Sequence, residues 1–200
     1  SSHNATSERQ FRYPTEYGGQ KPSSLTTTAT GCGVALLSTK ESYIKLTKAT
    51  IGKVVDSCIT DAQDLGRAMA PACAETLRNH LHDFACKASD YDLILTGDLS
   101  TYGSMCFKKM VESYGINLGD NYKDSGMLLY DLEKQNVHAG GSGCGCISLV
   151  TLGYVVKNMY EGKLNKVLVI ATGALMNPVM VFQNETIPGI AHAIVLERVI

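Results

Sequence analysis

The run Ala139-Gly-Gly-Ser-Gly-Cys-Gly-Cys-Ile147 holds the residues best suited to chemistry in this sequence, and it leads directly into an apolar stretch. The start of a buried helix presents unpaired N–H groups and the positive end of the helix dipole, which attract anions. Glycines let a ligand approach the backbone closely, so Gly140, Gly141, Ser142, Gly143 and Cys144 are candidate anion-binding residues. The same small residues also suit two helices packed at close range, and the two readings are compatible. Cys144 and Cys146 raise a metal or redox reading, but two residues apart on a helix they point about 200° away from each other. A Cys-x-Cys disulfide is strained, and no second ligand pair of matching spacing exists. Small buried thiols describe both cysteines better.

Gly97 and Asp98 follow the apolar run Tyr91 to Thr96, and Asp98 reads either as a ligand contact or as the N-cap of the next helix. His138 and His192 are candidate acid–base residues, although His192, inside an apolar strand, reads better as a hydrogen-bonded core residue. His80 and His82 face opposite sides of their helix and read as solvated or capping. His3, Arg9 and Arg12 form a basic cluster in the opening loop, with a solvated loop face as the plainer account. No Ser-His-Asp order, phosphate loop or metal signature emerges. The residues alone therefore reach an α/β domain with a small-anion site, with no catalytic residue and no metal ligand assigned.

The elements that must hold these residues follow from periodicity. After a polar opening loop of about 30 residues, Gly33 to Ser38 (GVALLS) reads as a buried strand and Tyr43 to Val55 as a second one, bent at Gly52. Ala70, Cys73, Leu77, Leu81 and Phe84 have helical spacing, with Pro71 suited to the first turn. Tyr91 to Thr96 is a strand. Tyr102 to Tyr114 is a helix with Met105, Cys106, Met110 and Val111 inward, ended by Gly115. Asp120 to Gln135 is loop with a short strand at Met127 to Tyr130. Gly143 to Tyr160 is a helix without a polar face, which must be covered on every side. Lys166 to Thr172 and Ile190 to Val199 are the last strands. This alternation implies a mostly parallel sheet covered on both faces, with ligands gathered beyond the strands' carboxyl ends.

Composition narrows the function classes. Lys plus Arg (18) nearly balances Asp plus Glu (19), so no global field draws the chain to nucleic acid or an anionic membrane. The seven cysteines are odd in number and scattered, which fits free thiols in a reducing compartment. Two uncharged stretches, Gln135 to Val156 and Val167 to Asn184, are broken by glycines or by Asn177, Pro178, Gln183 and Asn184, so neither reads as a lipid-exposed helix. With neither a starting methionine nor a secretion signal, the 200 residues read as a soluble single domain cut from something longer.

Gly140-Gly-Ser-Gly-Cys-Gly-Cys-Ile-Ser-Leu-Val150, its helix and Val167-Leu-Val-Ile-Ala-Thr-Gly-Ala-Leu175 resemble the second half of thiolases and ketoacyl synthases. In that fold two similar halves pack their sheets around central helices. Ser1-Ser-His-Asn4, Phe11-Arg-Tyr-Pro-Thr-Glu-Tyr-Gly-Gly-Gln-Lys-Pro22, Ala68-Met-Ala-Pro71, Ala171-Thr-Gly-Ala-Leu175 and Glu185-Thr-Ile-Pro-Gly-Ile-Ala-His192 resemble, more specifically, the stage V sporulation protein AD family. The amino-terminal half, with the nucleophile position, is absent. The enzymes' second-half histidine falls on Gly97-Asp98 and their Asn or His on Gly141, so the resemblance implies no condensing or thiolytic activity.

It implies instead binding of dipicolinate (pyridine-2,6-dicarboxylate) and support of its transport into the developing spore, with no cofactor apart from calcium accompanying the dicarboxylate. The expected site is Gly140 to Cys144, bordered by Gly97 and Asp98 and by Glu185, Thr186, Ile187 and Pro188. Expected partners are the missing half, a second copy in a homodimer and membrane proteins of the same spore system, on the cytoplasmic side of the spore inner membrane. An acyltransferase with a rearranged site and a scaffold with a vestigial pocket are the alternatives.

Overall fold

The computed structural model describes residues 2–3, 23–135 and 137–199. Arg9, Arg12 and most of the opening loop lie outside them. Its five-stranded sheet runs β4 (Ile44–Thr50), β9 (Gly189–Arg198), β8 (Lys166–Ala174), β5 (Leu93–Thr96) and β6 (Tyr122–Asp124). β8, β5 and β6 pair in parallel, whereas β9 runs antiparallel to both of its neighbours. β9 alone therefore opposes the other strands, and the fold is α/β with a mixed, mostly parallel sheet. Two short ladders lie outside the sheet: β1 (Ser2–His3) on β3 (Gly31–Cys32), and β2 (Thr27–Thr28) on β7 (Gly141–Ser142).

Strand alternation divides the core between two faces. Ile94, Leu168, Ile170, Ala191, Ala193 and Val195 face α1 (Leu65–Asp83) and α2 (Ser100–Ser113). Leu93, Leu95, Val167 and Val169 face Val150, Val155 and Met159 on the opposite side. These last residues belong to a continuous helix whose turns change type, from α4 (Cys144–Leu149) through a π-helical stretch (Val150–Val155) to α5 (Val156–Tyr160). It buries one side only. Cys144, Gly153 and Tyr154 are exposed, so the expected cover all round is not supplied by the described residues.

α1 starts six residues before Pro71, because Asp64 caps it by accepting the Arg67 N–H, and Pro71 therefore lies inside the helix. Ala68, Ala72, Cys73 and Ala74 are small enough to bring α1 close to the sheet. α2 turns Gly103, Ser104, Phe107 and Val111 inward, not Met105, which is 52% exposed, nor Cys106 and Met110, which are only partly buried. Backbone contact sets this rotation: a Cβ on Gly103 would lie 2.5 Å from the Gly66 carbonyl oxygen. Gly115, at φ 75°, follows the helix as expected.

Three further expectations need correcting. Val34, Leu36 and Leu37 are 82%, 93% and 78% exposed, and GVALLS forms no strand because no described segment pairs with it. Met127 to Leu128 belong to a helical turn, α3 (Ser125–Leu128), because Asp124 caps it by accepting the Gly126 N–H. β4 ends at Thr50, and Gly52 passes so close to β9 that a Cβ there would lie 1.8 Å from the Ala191 carbonyl oxygen. A short helix not anticipated, α6 (Pro178–Phe182), is capped by Asn177 with Pro178 in its first turn.

Candidate functional site

The carboxyl ends of β5, β6 and β8 converge with the start of α4. Parallel pairing aligns Thr96 with both Ile170 and Asp124. Beyond Thr96 the chain bends through Gly97 and Asp98 into α2. The buried Asp98 carboxylate accepts the Gly143 N–H at 2.9 Å and the Thr172 hydroxyl at 3.2 Å. Asp98 does not cap α2: the N-cap position is Leu99, without a side-chain bond. The protein thus places its own carboxylate in front of the helix start that the sequence marks as anion-binding.

Capping falls to Asp124, which sequence reading missed. Its carboxylate accepts Thr96 Oγ1 at 2.7 Å, the Leu99 N–H at 3.0 Å, the Ser100 N–H at 2.8 Å and the Gly126 N–H at 3.0 Å. Burial raises its pKa to about 7, with the nearby Asp98 charge adding to the rise and the Thr96, Ser100 and Leu99 donors opposing it. The available signal was Asp124-Ser-Gly126 directly after a strand, a cap-like sequence.

The glycine run is not an open cradle. The Thr27 N–H donates to the Gly140 carbonyl at 2.8 Å, the Ala29 N–H to Ser142 at 2.9 Å, and Thr26 Oγ1 to Ser142 Oγ at 2.7 Å. Gly140, Gly141 and Ser142 are buried, and a Cβ on Gly141 would lie 3.0 Å from the Tyr130 ring. Gly97 is likewise enclosed, with Thr172 Oγ1 at 2.9 Å from its notional Cβ. Gly143, in a left-handed conformation at φ 93°, and the exposed Cys144 form the accessible end.

Cys146 is buried, and loss of solvation pushes its thiol up to about 12. The paired expectation of two buried thiols therefore holds for Cys146 and fails for Cys144. The described residues leave Cys144 exposed on its side of the helix.

Glu185 to Pro188 lie at the same end of the sheet but bond elsewhere. The Thr186 hydroxyl donates to Asp56 at 2.7 Å, Ile187 enters the core and donates its N–H to Ile59 at 2.7 Å, and the Pro188 carbonyl accepts the Leu175 N–H at 2.9 Å. Glu185 is exposed. The structure thus brings Gly97, Asp98, Gly143 and Thr172 together and ties 185–188 to the 55–59 segment.

His80 and His192 differ from expectation, whereas His82 is solvated as expected. His138 is exposed at φ 54°, bridged to Thr26, and His192 is exposed rather than core, accepting the Gly52 N–H at 3.0 Å. His80 is fully buried, with Thr50 Oγ1 and the Tyr91 hydroxyl each 2.7 Å from a ring nitrogen, while His82 is exposed beside Asp83. A cleft of about 940 Å³, lined by residues including Leu81, Cys86, Tyr91, Ile116 and Asn121, opens beside this pair, at the opposite end of the strands from Asp98. Among the described residues no group of three or more His, Cys, Asp or Glu side chains could hold a metal, and no helix is long and apolar enough to cross a membrane.

Fold and site together define an α/β protein in which a strand-end carboxylate closes onto a glycine-rich helix start. The chain belongs to the stage V sporulation protein AD family, whose profile matches residues 1–197. It is 54% identical over 198 residues to stage V sporulation protein AD of Bacillus subtilis (strain 168), covering 99% of this chain and 58% of that protein. This chain therefore spans somewhat over half the length of that relative. A solved structure, the acetyl-CoA acetyltransferase of Bacillus anthracis, is similar over 80% of this chain and 31% of its own, at a TM-score of 0.41 and 15% identity.

Proposed function

We propose that this chain is the carboxyl-terminal part of a non-catalytic, thiolase-like protein that binds dipicolinate and supports its transport into the developing spore. The observation that carries the reading is the end-to-end match to the stage V sporulation protein AD family, for which the sequence resemblance implies this ligand. The site geometry supports it. Gly97 and Gly141 carry no side chain that can move a proton, and the space one would need there is taken by Thr172 and Tyr130. Asp98 sits where a catalytic base could, but its carboxylate is engaged with Gly143 and Thr172.

A dianion approaching Gly143 meets the Asp98 charge, and a cation between the two removes that repulsion. Calcium, a hard ion that takes carboxylate oxygens, would enter as part of the cargo, held by the ligand's own carboxylates with Asp98 as one further oxygen ligand, since the described residues hold no metal group of their own. The missing amino-terminal half, a second copy and membrane proteins of the spore complete the proposed assembly.

Titration of the full-length protein with dipicolinate, with and without calcium, tests this reading. We expect saturable binding that calcium tightens, and an Asp98→Asn variant that has lost the calcium effect. Absence of saturable binding overturns the proposal. So does thioester turnover that disappears on replacing Asp98 or His138.

A further inference from the structure

We propose that Asp124 is the positioning residue of this site, holding Asp98 at the distance from which it engages Gly143. The inference rests on the ligand-site reading above and adds a residue to it. Asp98 itself lies on a bend with no regular backbone ladder, and what fixes that bend is the neighbouring strand end. Thr96 Oγ1, two residues before Asp98, and the N–H groups of Leu99 and Ser100, just after it, all donate to the Asp124 carboxylate. The Asp98 N–H donates at 2.9 Å to Ser125 Oγ, in the turn that Asp124 caps. One carboxylate thus grips the bend on both sides of Asp98.

The grip reaches the glycine run as well. Ser100 has φ 56°, a left-handed conformation that costs a non-glycine residue energy and persists only where the surroundings impose it. Its N–H is held by Asp124, and its hydroxyl donates at 2.8 Å to the Gly141 carbonyl, two residues before Gly143. Both partners of the Asp98–Gly143 bond are therefore referred to the same buried carboxylate. Both Asp124 oxygens accept two donors each, so asparagine, with a donor in place of one oxygen, cannot reproduce the pattern.

The test uses full-length protein labelled with ¹⁵N at glycine. The Gly143 amide resonance, assigned by its loss in a Gly143→Ala variant, reports the bond to Asp98 directly. In Asp124→Asn we expect this resonance to move in the direction seen in Asp98→Asn, and dipicolinate binding to weaken about tenfold, a loss of about 1.4 kcal/mol. Thr76→Val, which removes a buried hydrogen bond to the Ala191 carbonyl and lies outside the hydrogen bonds of Thr96 and Asp124, leaves the resonance in place. Should Asp124→Asn fail to fold, Thr96→Val removes one donor to Asp124 isosterically and moves the resonance less far in the same direction. An unmoved Gly143 resonance in a folded variant of either kind overturns the inference. A wild type that binds no dipicolinate overturns the functional reading instead, and the Gly143 resonance still decides the role of Asp124.

Discussion

At the scale of single residues, His80 shows how burial converts a helix-surface candidate into a structural group. Its ring nitrogens meet Thr50 Oγ1 and the Tyr91 hydroxyl, and Tyr91 in turn lies 3.3 Å from Cys86 Sγ. Burial first, and the Lys48 charge second, lower its pKa from 6.5 to about 4. The folded state therefore keeps His80 neutral where the unfolded chain would protonate it. Its contribution to stability is full above pH 6.5 and is lost as pH falls from 6.5 to about 4. Asp124, raised to about 7, acts with the opposite sign over much of the same range, so the parent protein alone does not separate them. A His80→Asn variant does. We expect it to be about 1–3 kcal/mol less stable at pH 7, because Thr50 and Tyr91 lose a buried partner. Its melting temperature should also fall less than the parent's between pH 7 and 4.5, and thermal denaturation at several pH values measures both effects.

Elements are held together by backbone proximity as much as by side chains. α1 and α2 meet where Gly66 and Gly103 face each other, and the contact leaves no room for a methyl group. Gly103→Ala should destabilise the protein by about 1–3 kcal/mol or more, since overpacking at rigid backbone forces the helices apart. Urea denaturation checks this, with Gly153→Ala as the comparison: nothing lies within 4 Å of a Cβ there, and no such loss is expected. A Gly141→Val substitution, an obvious way to block a glycine-rich approach, would press on Tyr130 and Leu129 instead. Substitution at Asp98 is therefore the better probe of ligand binding.

For the molecule as a whole, the uncovered apolar surface is the dominant feature. Val34, Leu36 and Leu37 stand out from a segment without regular secondary structure, and Ile51, Val54, Leu175, Val179 and Phe182 are between 61% and 88% exposed. Apolar surface of this kind drives association unless another surface covers it. The 200-residue chain should self-associate in analytical ultracentrifugation, and a Leu36→Lys/Leu37→Ser double variant should do so less. A compact, non-associating monomer at all concentrations would count against this prediction. Adding the part of the Bacillus subtilis relative that lies beyond the 58% matched here should reduce the association, because that sequence offers surface to cover the exposed apolar side chains.

The sequence by itself determined the family, the α/β class and the strands β5, β8 and β9, because short apolar runs and turn residues are local signals. It also marked Gly115 as a helix end and placed Gly97-Asp98 and the glycine run at one end of the sheet, where they are expected to act. Tertiary structure decided what those residues do. The capping role expected of Asp98 falls to Asp124, because the partner of the α2 start lies 24 residues further along the chain, beyond any periodicity. His80 and His82, which helical spacing only places on opposite sides, separate into a buried and an exposed residue once β4 and Tyr91 arrive on one side of α1. Cys144 and Cys146 divide in the same way according to which side of α4 meets the protein. GVALLS has the composition of a buried strand, but a strand exists only where another segment accepts its hydrogen bonds, and whether a segment lies there is decided by tertiary structure rather than by local sequence.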